Sequence, residues 1–239
     1  MKVFISFQVL IVIVAVIAGC VIRSDIPNVG FDGINSIEDI KQTDYDVITT
    51  AEAAGAESFR AFEDDGWMYD ETYSTAVFVC RAENSFKFAN DLYSQKVTIE
   101  KQLKGICPEV GESIVLTVKG GLCKYPKEMY PYNEQLPKEI PSDKLLNILN
   151  LGGLNFMKPR HSYLVACQTK KLGSVRYYGM PYGAACWLDL AENHNSIVIE
   201  PFGEMNYSKY ADNEFFCQSE KMLDNMLKKK TEIFERFGL

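Results

Sequence analysis

Residues Tyr93–Leu103 read YSQKVTIEKQL, and this stretch decides the fold class. Apolar and polar residues alternate along it, which is the period-two pattern of a strand with one buried face. The face expected to be buried carries Tyr93, Val97, Ile99 and Leu103, and the other carries Ser94, Lys96, Thr98, Glu100 and Gln102. The stretch therefore predicts a strand whose sheet has a core on one side.

Further runs rich in β-branched and aromatic residues predict more strands around this one. They lie at 75–80, 113–118, 161–168, 175–178 together with 186–188, and 196–199. A short helix capped by Ser142 is predicted before Gly152-Gly153, and apolar residues at 3–4 spacing predict a long amphipathic helix over 212–237. We expect an α+β fold, a mostly antiparallel sheet or barrel with the C-terminal helix packed on it.

The amino terminus predicts export. Met1–Cys20 has one lysine, a short apolar run and small residues before Cys20, which is the pattern of a signal peptide. Ile17-Ala18-Gly19-Cys20 matches the bacterial lipoprotein box and also suits ordinary signal cleavage. Cys20 is therefore either a lipidated residue, the mature amino terminus or removed, and membrane attachment is expected only if it is lipidated.

The cysteines predict a disulfide framework in the exported protein. Six remain beyond Cys20, and an even number in an oxidising compartment favours bridges. The candidates are Cys80, Cys107, Cys123, Cys167, Cys186 and Cys217. Their spacing does not determine which cysteines pair. The sequence contains no CxxC motif and no close His/Cys cluster, so no metal or other cofactor is expected.

Acidic residues are concentrated between residues 36 and 71, where eleven acids face two bases. We interpret residues 21–73 as an acidic lead-in and 74–239 as a disulfide-bonded β-rich domain with the C-terminal helix. No extended basic face is present, so nucleic acid is not expected as a partner.

The residues that could carry catalysis are few. The chain has two histidines, His161 and His194, and no Gly-x-Ser-x-Gly motif. Asp64 and Asp65 form an acidic pair, but nothing in the sequence orients them. We predict no enzyme activity, and the remaining alternative is a secreted hydrolase that uses Asp64, Asp65 or His161.

Several short motifs resemble netrin-like (NTR) modules, the domain of tissue inhibitors of metalloproteinases. Residues 93–105 resemble the tyrosine-led second strand of that family, which ends in Lys-Gly. Tyr163-Leu164-Val165-Ala166 is similar to the family's Tyr-Leu-Ile-Ala, and Cys123, Cys186 and Cys217 stand near family cysteine positions. The chain departs from the family at Lys124, which replaces a glycine, and in lacking a second cysteine beside Cys20.

The resemblance implies an OB-like, five-stranded barrel in which the first and fourth strands are neighbours. It also implies a bridge between Cys80 and Cys167. We therefore expect an exported, non-enzymatic binding module whose partner is another protein, such as an extracellular protease that it inhibits through Cys20. The alternative is a cell-envelope lipoprotein anchored through Cys20, with a structural or ligand-binding role.

Overall fold

The computed structural model describes residues 34–42, 46–49, 59, 62, 74–89, 92–119, 121–124, 145–149, 153–172, 175–179, 186–199 and 207–239. The predicted signal peptide with Cys20, the Asp64–Asp65 pair and most of the acidic lead-in lie outside these residues. The elements, in chain order, are α1 (Ile37–Lys41), β1 (Asp46–Thr49), β2 (Ser74–Ala89), β3 (Leu92–Gly105), β4 (Ser113–Lys119), β5 (Gly121–Lys124), β6 (Leu145–Leu149), β7 (Ser162–Leu172), β8 (Val175–Gly179), β9 (Trp187–Asp189), α2 (Tyr207–Tyr210) and α3 (Glu220–Phe237).

Five strands close into a barrel. Hydrogen bonds connect β2, β3, β4, β8 and β7 in that order, and β7 pairs back with β2. The β4–β8 pair is parallel and the other pairs are antiparallel. The first barrel strand thus neighbours the fourth, so the predicted mostly antiparallel barrel is confirmed and it fits the OB-like arrangement.

The alternation in β3 produces the burial that its sequence predicts. Tyr93, Val97 and Ile99 are buried, and Leu103 packs against the core. The polar residue Gln95 shares this buried face, where its two amide N–H groups are shared among three backbone carbonyls and its Oε1 accepts from the Tyr93 hydroxyl. Satisfying every polar atom lets Gln95 occupy the core at little cost.

An aromatic cluster fills the core beside these residues. Tyr93 packs within 5.6 Å, between ring centroids, of Phe86, Phe156 and Trp187. The Trp187 indole donates to the backbone oxygen of Asn155, which fixes β9 against the segment 153–157. Stacked and tilted aromatic pairs of this kind stabilise a core beyond their buried area.

Residues of the acidic lead-in contribute to the same core. The side chains of Ile37 and Ile40 in α1 are buried, as are those of Phe59 and Phe62. The Phe59 ring meets the Phe215 ring edge-on, with centroids 6.3 Å apart. The lead-in and the barrel therefore share one hydrophobic core.

Two stretches adopt a different secondary structure from the one predicted. Residues 145–149, predicted to be helical, form β6, which pairs with β1 and β5 in a separate three-stranded sheet. An isolated helix this short is marginal, so pairing with two strands decides its conformation. Residues 196–199, predicted as a strand, form none, because the amide of Ser196 donates to the Asn213 side chain instead.

The C-terminal helix is shorter than predicted. It begins after Ser219, whose side chain caps the amide of Met222, and ends at Gly238 with φ of 66°. Residues 212–219 are not helical, because Phe215 pairs with Leu154 in an isolated bridge. The buried side chains of Met226 and Ile233 join the helix to the common core.

Candidate functional site

The loop between β3 and β4, residues 106–112, turns at two glycines, Gly105 just before it and Gly111 near its end. Gly105 has φ of 75°, and a Cβ there would lie 1.9 Å from the carbonyl oxygen of Thr75. Gly111 has φ of 87° with open space around it. Both positions use the left-handed backbone region that glycine enters freely, so the loop turns sharply at each end.

Hydrogen bonds fix the inside of this loop. The Gln102 amide donates to the Pro108 carbonyl at 2.6 Å, and the Glu109 amide donates to the Glu112 carboxylate at 3.0 Å. The Cys107 thiol lies 3.2 Å from the Val77 carbonyl oxygen. The backbone of the loop is therefore pre-organised before any partner arrives.

The same loop exposes two apolar side chains. Ile106 is 50% exposed and Val110 is 62% exposed, although both are large aliphatic residues. Glu109 and Glu112, between and beside them, are exposed carboxylates. A rigid loop with an apolar tip and acidic flanks can contact an apolar depression that has basic groups at its rim.

A second cluster surrounds His161, which directly precedes β7 and lies opposite Ala82 of β2. The His161 ring donates from Nδ1 to Oδ2 of Asp189 at 2.8 Å, and the Asp189 side chain is buried. The other oxygen of Asp189 accepts from the amide of Ala191. When Nδ1 of a neutral histidine donates to a buried carboxylate, Nε2 carries the lone pair, which is the arrangement of a general base.

A buried ion pair lies next to this histidine. Lys230 of α3 donates to Glu214 at 2.6 Å, with side chains only 12% and 7% exposed, and Glu214 accepts from the Asp189 amide at 2.9 Å. Burial raises the pKa of the Glu214 carboxyl, and the charge and hydrogen bond of Lys230 oppose that rise. The pair ties α3 to the strand that carries Asp189.

Lys158 is a further charged group of the cluster. Its ammonium donates to the side chain of Asn193 and to the backbone carbonyl of Asp212, both at 2.7 Å. Burial lowers the pKa of this ammonium. The backbone amide of Lys158 donates to the Tyr163 hydroxyl at 2.6 Å, so this lysine spans segments far apart in sequence.

The five described cysteines are free thiols in the structure: Cys80, Cys107, Cys167, Cys186 and Cys217. The side chain of Cys123 lies outside the described residues. The β2–β7 register pairs Cys80 with Tyr163 and Cys167 with Ala76, four positions apart. Four residues of strand span about 13 Å, too far for the bridge that the resemblance implies between Cys80 and Cys167.

The sequence offers His161 only as one of two histidines, and it gives no sign of the neighbours of this residue. Asp189, Glu214 and Lys230 carry no motif, and they meet only because β9, the 212–219 segment and α3 converge. In the described part of the chain, no group of three or more metal-ligating side chains is placed to hold a metal ion. His194 is exposed on the 191–199 segment, which also carries the buried Val198.

No protein-family model, no curated protein and no solved structure matches the chain. No helix within the described ranges is both long and apolar enough to cross a membrane.

Proposed function

We propose that the chain is an exported, non-enzymatic binding module whose partner is another protein, with the 106–112 loop as its contact. The observation that carries this proposal is the exposure of Ile106 and Val110 on a loop whose backbone is already fixed. Pre-organised loops bind more tightly because less conformational entropy is lost on association. The flanking Glu109 and Glu112 favour a partner with a basic rim around an apolar pocket.

Site-specific photo-crosslinking tests the contact. A photoreactive side chain is placed at Ile106 in the full-length protein, and a matched one at Ile199, which is 80% exposed elsewhere on the surface. We expect one discrete protein adduct from position 106 and none from position 199. The position-106 adduct should disappear when Val110→Asp is added; equal adducts at both positions would contradict the proposal.

The narrower form of the proposal is inhibition of an extracellular protease, and it follows the NTR resemblance. It requires a mature chain that begins at Cys20, whose amino group and carbonyl would approach the protease zinc. Amino-terminal sequencing of the exported protein tests this, because any other start removes the mechanism. Inhibition of a zinc endopeptidase panel should then weaken in Ile106→Asp and be unchanged in Ile199→Asp.

Attachment to a cell envelope is the alternative form of the same export. It would use Cys20 as the acylated anchor, and the globular part would hold its partner at the membrane surface. Mass spectrometry of the amino-terminal peptide separates the two, because acylation adds a large apolar mass. A free terminal amine without that mass supports secretion.

The His161–Asp189 pair favours a second candidate, a secreted hydrolase in which His161 takes a proton from water. Asp189 would hold the imidazole in the tautomer that leaves Nε2 free to act. A panel of ester, amide and phosphoester substrates tests this with wild type, His161→Ala and Asp189→Asn. Hydrolysis that falls at least 100-fold in both variants supports it, since general-base catalysis contributes about 10²–10⁴-fold; hydrolysis unchanged in His161→Ala excludes it.

A further inference from the structure

The barrel has a seam between β4 and β8. Within the described residues, these two parallel strands pair at Thr117 with Gly179 and at no other position. The part of β4 before Thr117, residues 113–116, has β3 on one side and no described strand on the other. The seam therefore opens toward the 106–112 loop, which leads directly into β4.

The backbone of β4 sends hydrogen-bonding groups to the open side of this seam. The Ile99 amide donates to the Glu112 carbonyl at 2.9 Å, so Glu112 turns its backbone toward β3. In an antiparallel pair every second residue turns the same way, so Ile114 also bonds β3, while Ser113 and Val115 turn away from it. No described residue bonds the amides and carbonyls that Ser113 and Val115 direct into the seam. Such an unpaired strand edge is a template for a further strand.

The side chains at this edge continue the apolar surface of the loop. Val115 is 54% exposed, and Ser113 is exposed beside it. Together with Ile106 and Val110, this places three exposed aliphatic side chains within residues 106–115. A strand added along β4 would cover Val115 and lie next to the loop.

The charges at the edge select its occupant. Glu109 and Glu112 are exposed carboxylates at the loop end of β4. Lys96, which lies opposite Val115, is already paired with Glu83 at 3.1 Å. A second copy of the chain would bring another net charge of −7 and the same two acids to this place, and like charges oppose such self-pairing. A segment with basic side chains is attracted instead.

We propose that an extended segment of the partner protein adds to β4 as a new strand and bonds the backbones of Ser113 and Val115. Apolar side chains of that segment cover Val115, and its basic side chains lie beside Glu109 and Glu112. In this mode of recognition, main-chain hydrogen bonds give affinity and alternate side chains give specificity. This contact rests on the proposed binding role and specifies the chemistry of the partner.

Amide hydrogen exchange of the isotope-labelled full-length protein, followed residue by residue by NMR, tests the edge and its occupant. In the free protein the amides of Ser113 and Val115 should exchange at least about 10-fold faster than the amide of Ile114, which is bonded to β3. The probe is a short peptide in which threonine and valine alternate between two terminal lysines. Excess peptide should slow exchange at Ser113 and Val115 at least about 10-fold.

Control peptides and a proline variant make the test specific. Methylation of every peptide nitrogen should abolish the protection, and glutamates in place of the two lysines should weaken it. Val115→Pro removes an amide that faces the seam and should also abolish protection of Ser113, whereas Val115→Thr should retain it. Slow exchange of Ser113 and Val115 in the free protein, or equal protection by the methylated peptide, would overturn the proposal. A lysine peptide that protects neither amide would overturn it as well.

Photo-crosslinking from position 106 separates this contact from the proposed function. An adduct that is lost in Val115→Pro and kept in Val115→Thr supports strand addition. An adduct that forms equally in Val115→Pro would refute strand addition and leave the loop contact in place. Absence of the adduct together with peptide protection of Ser113 would remove the loop contact and leave the β4 edge as the binding site.

Discussion

Replacing Lys230 with methionine removes the charge that compensates a buried carboxylate. Lys230 and Glu214 form a 2.6 Å ion pair with side chains 12% and 7% exposed. The Lys230 Nζ also lies 5.3 Å from the centroid of the Phe234 ring, a cation–π contact that depends on the same charge, and methionine puts an unbranched apolar side chain in place of the lysine stem. The substitution therefore tests the charge and not the packing.

The expected loss of stability is large because Glu214 stays buried. Breaking a buried pair by removing one partner costs about 3–5 kcal/mol, against a typical total stability of ~5–15 kcal/mol. For a chain of this size each kcal/mol lowers Tm by about 2–4 °C, so Tm should fall by roughly 6–20 °C. The matched control is Lys228→Met on the same helix, whose side chain is 76% exposed and 4.0 Å from Glu232. Loss of that surface pair should lower the free energy of unfolding by at most ~1 kcal/mol.

The pH dependence gives the signature of the mechanism. Burial raises the pKa of folded Glu214 above its ordinary value of 4.5, so the folded state holds this proton to a higher pH than the unfolded chain does. Stability from this group is therefore full below pH 4.5 and is lost as the pH rises through the folded pKa. Without Lys230 that pKa rises further, so the deficit of Lys230→Met should be small near pH 4 and grow toward pH 7.

Urea unfolding of wild type, Lys230→Met, Glu214→Gln and the double variant at pH 4 and pH 7 measures these differences. We expect the double variant to be more stable than Lys230→Met at pH 7, because the uncompensated charge is gone. A Lys230→Met deficit equal at both pH values, or no larger than that of Lys228→Met, would refute the reasoning.

Three further substitutions probe the loop, the buried amide and the helix cap by thermal unfolding. Gly105→Ala should lower the free energy of unfolding by about 1–3 kcal/mol more than Gly111→Ala does. Both substitutions are strained at positive φ, but only the first drives a Cβ into the Thr75 carbonyl. Equal losses of stability would show that the backbone shifts without cost to make room for the Cβ. Asn155→Ala should cost about 3 kcal/mol or more, since the side chain bonds two backbone carbonyls, one backbone amide and a buried hydroxyl; a loss below ~1 kcal/mol would mean that water replaces it. Ser219→Ala should lower the free energy of unfolding by about 1 kcal/mol, because the cap on the Met222 amide is lost. An unchanged stability would mean that Ser219 is not the residue that caps this helix.

The barrel could be predicted from sequence because its strands carry local signals. The alternation in 93–103 and the β-branched run in 75–80 depend on nothing outside the strands themselves. Residues 142–149 misled the prediction because leucines at helical spacing are also apolar enough to pair in a sheet. Residues 196–199 misled it for a different reason, since the side chain of Asn213 takes the place of a neighbouring strand.

The His161 cluster could be predicted only in part, since its members come from distant segments. His161 is visible in the sequence because histidines are rare in this chain. In the sequence, Asp189 and Glu214 look like ordinary surface acids. No local pattern predicts that each of them is buried beside a basic side chain. Asn155 and Asn213 read as loop residues, although in the fold their amides hold extended segments together.

The loop and the His161 cluster lie at different heights on the barrel, so their effects should be separable. The Cys107 sulfur contacts β2 at Val77, whereas the backbone oxygen of His161 accepts from the Ala82 amide, five residues further along. Five residues of strand span about 16 Å. Substitutions more than 7–10 Å apart without shared partners usually add within about 0.5 kcal/mol. Gly105→Ala combined with His161→Ala should therefore lower the free energy of unfolding by the sum of the two single losses. Gly105→Ala alone should leave any hydrolysis that depends on His161 unchanged. Strong coupling between them would mean that the barrel moves as a unit and that the two candidate functions share one site.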